Sequence, residues 1–150
     1  MKIKLVVFVF VCISSYFAVA SDGLVSKQSD FTVQETADRF EAVIVEKGLT
    51  LFARISHSDN AKNVGHELRP TETIIFGNPK VGTPLMQCAQ NIAIDLPQKA
   101  LIWQDEAGKV WFSYNDPKYL KQRHQVAGCD QVFDKVSNVL STLSGIATQD

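Results

Sequence analysis

Residues 99–114 read KALIWQDEAGKVWFSY. The runs 99–104 and 109–114 are rich in β-branched and aromatic residues, and the polar stretch Asp105-Glu106-Ala107-Gly108 separates them. Two such runs joined by a short Gly-containing turn form a β-hairpin, and a hairpin forces antiparallel pairing. Trp103 and Trp111 lie on the two strands, where they can pair across the ladder or line a groove.

Downstream, Asn115-Asp116-Pro117 caps a helical turn through Tyr119 and Leu120. Val132, Phe133, Val136, Val139, Leu140 and Leu143 then mark a last long helix, with Asp130 as its expected cap. Upstream, residues 74–86 read IIFGNPKVGTPLM: an apolar strand (expected over 72–76), a turn at Gly77-Asn78-Pro79, and a helix start at Thr83-Pro84. That second helix is expected over 84–91 and ends at Asp95-Leu96-Pro97. Leu49, Leu51, Ala53 and Ile55 alternate with polar or larger neighbours over 49–57, a half-buried strand. Residues 58–65 suit a short helix capped by Ser58 or Asp59.

Thr32-Val33-Gln34-Glu35 is a capping box, in which the Thr hydroxyl and the Glu carboxylate each satisfy a free N–H at the helix start. The stripe Val33, Ala37, Phe40, Val43 and Ile44 follows, and Gly48 ends the helix expected over 33–47. Residues 23–29 are short and weakly β. Strands and helices therefore mix around a hairpin. The expectation is a single two-layer α+β domain over 21–150, with a curved, largely antiparallel sheet covered by helices on one face.

The N-terminus reads as a separate unit. Lys2 and Lys4 precede an apolar run that ends in Ala18-Val19-Ala20 before Ser21. A charged start, an apolar middle and a small-x-small end describe a secretory signal peptide, residues 1–20, cleaved on export to the periplasm or beyond. Cys12 falls inside that leader. No other segment is apolar and long enough to insert in a bilayer. The formal net charge is −1, and loss of Lys2 and Lys4 makes it more negative. No basic patch is left to hold a phosphate backbone, which argues against nucleic acid as a partner. Cys88 and Cys129 remain. In an oxidising compartment an even count favours a disulfide, ahead of two separate thiols or a metal or haem ligand pair.

Several residues carry candidate chemistry. His57 closes a strand and opens a polar helix, a place for a metal- or haem-ligating imidazole or a general acid/base. The loop 77–83 supplies Gly77, Asn78, Lys80, Gly82 and Thr83. A lysine beside free N–H groups there suits a small anionic ligand. The loop lacks the Gly-Lys-Ser/Thr ending of a phosphate-binding P-loop. Met86 and Cys88 are two apart on a helix and do not share a face. His66 reads as surface, and His124 as a solvated cation at a helix end. No two histidines have a compact chelating spacing, and no nucleophile elbow or dinucleotide fingerprint is present.

Seven pieces taken in order carry a resemblance. They are Glu46-Lys47-Gly48-Leu49 with Phe52-Ala53; His57 with Ala61 and Gly65; Leu68-Arg69-Pro70-Thr71; Ile75-Phe76-Gly77-Asn78-Pro79-Lys80; Gly82-Thr83-Pro84-Leu85-Met86; Asp95-Leu96-Pro97; and Tyr114-Asn115-Asp116-Pro117. Over about 23–147 the chain resembles the bacterial and archaeal family called domain of unknown function 302. The resemblance implies a two-layer α+β fold similar to the TATA-binding-protein-like class, and it implies homodimers. It implies no activity. The leader and the cysteine pair suggest an exported subgroup. The expected function is an exported homodimeric binding protein with a small-ligand, metal or haem site near His57 and the loop 77–83. The alternatives are an enzyme of unknown reaction using His57 as acid/base, and a structural periplasmic interaction module.

Overall fold

The computed structural model describes residues 23–150, so the expected leader lies outside the described residues. The elements run β1 (Leu24–Ser29), α1 (Val33–Glu46), β2 (Thr50–Ser56), α2 (His57–Asn63), β3 (Thr71–Gly77) and α3 (Pro79–Cys88). A 3-10 turn over Gln90–Ile94 leads to β4 (Gln98–Gln104), β5 (Val110–Asn115), α4 (Pro117–Arg123) and α5 (Asp130–Thr148). The five strands form one sheet in the order β1-β5-β4-β3-β2, antiparallel at every seam. The hairpin registers Trp103 opposite Trp111. The α+β expectation is met.

Alternation divides the sheet into two faces. One face carries Ile74, Phe76, Ala100, Ile102, Phe112 and Tyr114, all buried under α1 and α5. The stripe of α1 fits this face. Phe40 is fully buried and meets Phe76 and Phe112 edge-on, with ring centroids 4.9 and 4.8 Å apart. From α5 come Leu140, Leu143 and Ala147. Arg54 lies on the same face near its edge and fastens β2 to its surroundings. Its guanidinium donates to Glu72 at 2.6 Å, to Asp38 at 2.5 Å and to Glu41 at 3.3 Å. The other face carries Ile55, Ile75, Leu101, Trp103 and Trp111, which are partly exposed and belong to neither buried core. A second, smaller core of Leu85, Ile92, Leu120, Val126 and Phe133 holds α3 and α4 against α5.

Caps explain most boundaries. The Thr32–Glu35 capping box forms as its sequence requires, and Asp116 caps α4 through the N–H of Lys118. Three expectations are corrected. Helix α2 is capped by Ser56, whose hydroxyl accepts from the Asp59 N–H, so the helix begins before Ser58. Helix α5 starts at Asp130, but its cap is Cys129 in the left-handed region at φ 59°, with no side-chain bond. Helix α3 begins at Pro79 with Asn78 as cap, so Thr83 and Pro84 sit inside it. The strand runs through Gly77 and the cap Asn78 into the helix, and residues 79–83 of the expected loop are the first turn and a half of α3.

Candidate functional site: a cleft around the start of α3

The N-terminal end of α3 lies at cavities lined also by residues of the sheet and α5. Asn78 organises it. The Asn78 side-chain oxygen accepts from the Lys80 N–H at 2.9 Å, and its backbone carbonyl accepts from the N–H groups of Val81 and Gly82, each at 2.9 Å. Pro79 has no N–H to offer. The loop's donors are thus satisfied from within, which corrects the expectation of free N–H groups beside Lys80. The Lys80 residue itself is exposed and lines neither cavity described next.

Two adjoining cavities flank this turn. The first has a volume of about 420 Å³ and lies between the ends of α1 and β3 and the outer face of α5. The second has about 310 Å³ and lies between α3, the end of the 3-10 turn and Pro97. They share walls at Gly77, Asn78, Val81, Gln98 and Val136. Both volumes fall in the size range of small-molecule sites. Apolar side chains make most of the walls: Phe76, Val139 and Leu143 in the first, Phe52, Met86 and Leu96 in the second. Gln98, in the shared wall, has a buried Oε1 with no hydrogen-bond partner. A buried acceptor left unsatisfied costs about 1–3 kcal/mol.

Of the expected site residues, Gly77, Asn78, Gly82 and Thr83 line the cleft. His57 does not. Antiparallel register places Ser56 opposite Glu72 and Thr50 opposite Gly77. The ends of β2 and β3 therefore lie at opposite edges of the sheet, about 17 Å apart along the strand. His57 is exposed, and its Nε2 lies 3.0 Å from Thr73 Oγ1, on the uncovered face. Among the described residues no group of three or more His, Cys, Asp and Glu side chains is placed to hold a metal ion.

Sequence reasoning missed Gln98 and the α5 contribution, Lys135, Val136, Val139 and Thr142. The available signal was Val139, an apolar residue of the α5 stripe that ends up 39% exposed at the cleft. His124 is also corrected. Its side chain is 7% exposed rather than solvated, and its Nε2 lies 2.6 Å from Asp95 Oδ2. Arg123 Nη1 lies 3.3 Å from the other oxygen of the same carboxylate, so the group fastens α4 to the segment before β4.

Cys88 and Cys129 are joined in the structure, with Cα atoms 6.7 Å apart, inside the span a disulfide bridges. The link ties the last residue of α3 to the cap of α5, the two helices between which the cleft lies.

The family model for Domain of unknown function DUF302 matches residues 25–143. Among curated proteins the chain is 46% identical over 109 residues to Fluoride-specific ion channel FluC 1 of Brucella suis biovar 1 (strain 1330), covering 73% of this chain and 43% of that protein. It is equally similar to Fluoride-specific ion channel FluC 2 of Brucella melitensis biotype 1, covering 40% of it. The chain thus spans less than half the length of these relatives. Among solved structures, the uncharacterized conserved DUF302 protein of Bacillus stearothermophilus superposes with a TM-score of 0.76 at 14% identity. That likeness covers 85% of this chain and 99% of the other, and at this identity it speaks for the fold alone.

Proposed function

We propose a binding function for this chain, which belongs to the family described as Domain of unknown function DUF302. In this reading it is an exported, homodimeric protein whose guest is a small molecule held in the cleft around the start of α3. The observation that carries it is the pair of adjoining cavities of about 420 and 310 Å³, mostly apolar, meeting at Val81 and Gln98. Apolar pockets of this size with a few convergent polar groups are the usual form of a small-molecule site. His57 is left out of the site. The channel activity in the names of the Brucella relatives belongs to proteins more than twice as long as the matched segment, and it is not carried over. Among the described residues no helix is long and apolar enough to cross a membrane.

The leader-like N-terminus and the Cys88–Cys129 pair support export, since disulfides persist in oxidising compartments. The uncovered sheet face supports the dimer. It measures five strands at about 4.8 Å by some six residues at about 3.3 Å, roughly 480 Å² in projection, which places a dimer through it at the small end of interface sizes. It carries Ile75, Leu101, Trp103 and Trp111, with Lys99 beside Ile75 at one end, so a second copy would stack its apolar residues there with the lysines kept toward the rim.

Native mass spectrometry of the protein expressed with its leader tests all three elements. The expected result is a chain beginning at Ser21, a dimer, and an added small-molecule mass that is lost in Val81→Trp, a variant that fills the cleft. A retained leader sinks export, a monomer sinks the dimer, and a guest that Val81→Trp still carries sinks the site.

A further inference from the structure

We infer that the guest of this cleft is an amphipathic carboxylate, an apolar body with one anionic head. The inference rests on the binding reading above and names the ligand class. Its basis is the distribution of charge. The larger cavity has two charged residues in its wall, Lys47 and Lys135, and no carboxylate. The smaller cavity has no charged residue at all. Lys135 lies on the exposed side of α5 and enters no ion pair among the described residues. Lys47 pairs with its neighbour Glu46 at 2.8 Å, but both side chains are open to water, 47% and 68% exposed, and such a pair holds its lysine weakly.

The N–H groups at the start of α3 are satisfied by Asn78, so they do not compete for the anion. The head is therefore drawn to the lysines in the wall of the larger cavity. The body extends along Val136 and past Val81 into the uncharged smaller cavity. A cation would meet two like charges in that wall. A neutral molecule of the same shape would gain nothing from them. Two adjoining cavities that share walls at Gly77, Asn78, Val81, Gln98 and Val136 suit a single elongated body.

Three single-chain probes separate the possibilities: dodecanoate, dodecanol and dodecyltrimethylammonium. Each is titrated below its aggregation concentration into the intact protein by calorimetry. Dodecanoate is expected to bind at least ten-fold more tightly than dodecanol, and the cation more weakly than either. In Lys47→Gln/Lys135→Gln that preference should fall to within about two-fold, with dodecanol binding unchanged. Val139→Glu puts a carboxylate into the apolar wall of the same cavity and should weaken dodecanoate by a larger factor than dodecanol. Both variants are surface changes, and a preserved thermal midpoint confirms that they fold.

Equal binding of dodecanoate and dodecanol overturns the carboxylate inference and leaves the cleft reading standing. Failure of all three probes to bind overturns both. Vesicles of anionic phospholipid that capture the protein, while soluble dodecanoate does not bind, also overturn the inference, because the charge would then face a membrane surface.

Discussion

Removing the Cys88–Cys129 link by a Cys88→Ser/Cys129→Ser double substitution should destabilise the domain through the unfolded state. The two residues are 41 apart in sequence. Closing a loop of that length lowers the entropy of the unfolded chain by an amount worth about 4 kcal/mol at 25 °C. Residual compactness in the denatured chain makes this an upper value. Against a total stability of about 5–15 kcal/mol it is a large fraction. The native-state loss is small by comparison, because α3 keeps Leu85, and the following 3-10 turn keeps Ile92, in the second core. Urea unfolding followed by tryptophan fluorescence reads the effect. With a slope of about 1–3 kcal/mol per molar urea, the midpoint should fall by roughly 1.3–4 M. The slope itself should rise, because the unlinked chain exposes more surface when it unfolds. A loss confined to native contacts would leave the slope unchanged. If the wild-type and variant midpoints agree within about 0.3 M at equal slope, the two cysteines are not joined in the folded protein, and one support for export falls with the link.

Phe40→Ala removes the ring between Phe76 and Phe112 and should cost about 3–5 kcal/mol by chemical denaturation; a loss under about 1 kcal/mol would mean that the site collapses freely. Asn78→Ala deletes the cap of α3 and should cost about 1 kcal/mol, with faster amide exchange at Lys80. Asp105 accepts from the Trp111 indole at 2.8 Å and from the backbone N–H groups of Lys109 and Ala107, which together hold its carboxyl below the ordinary carboxylate value. Because the folded value is depressed, this group's contribution is present above the unfolded value and is lost as pH falls through the folded one. Trp111→Phe should raise the Asp105 midpoint in a carboxyl NMR titration, and an unmoved midpoint would show that the indole bond is not the main cause.

The hairpin, the capping box at Thr32, the cap at Asp116 and the buried stripe of α1 were all legible, because each is a local pattern satisfied by local bonds. The start of α3 was not. The sequence offers two cap–proline pairs, Asn78-Pro79 and Thr83-Pro84, and propensity alone does not choose between them. The strand ending at Gly77 decides, because the chain must turn at once to keep Leu85 in the second core. Pro84 is then tolerated inside the helix. The cap at Cys129 was hidden for a different reason. A left-handed residue held by tertiary linkage leaves no side-chain signature. The joint site of His57 and the loop 77–83 failed on topology: two residues that each close a strand are separated when the strands are antiparallel neighbours. The cleft itself draws on α1, β3, α3, β4 and α5, a long-range assembly that no window of sequence displays.

The strand order has a consequence for how the domain comes together. Strand β1 pairs only with β5, so that Ser26 meets Ser113 across a separation of 87 residues, while β2 to β5 are joined as successive neighbours. Loop-closure entropy makes that seam the most expensive to form, and β1 is expected to dock last. Under the proposed export, the first strand to cross the membrane is the last to find its partner. Until then the β5 edge of the four-strand sheet is open, and a chaperone or a second chain has its best opportunity to intervene there.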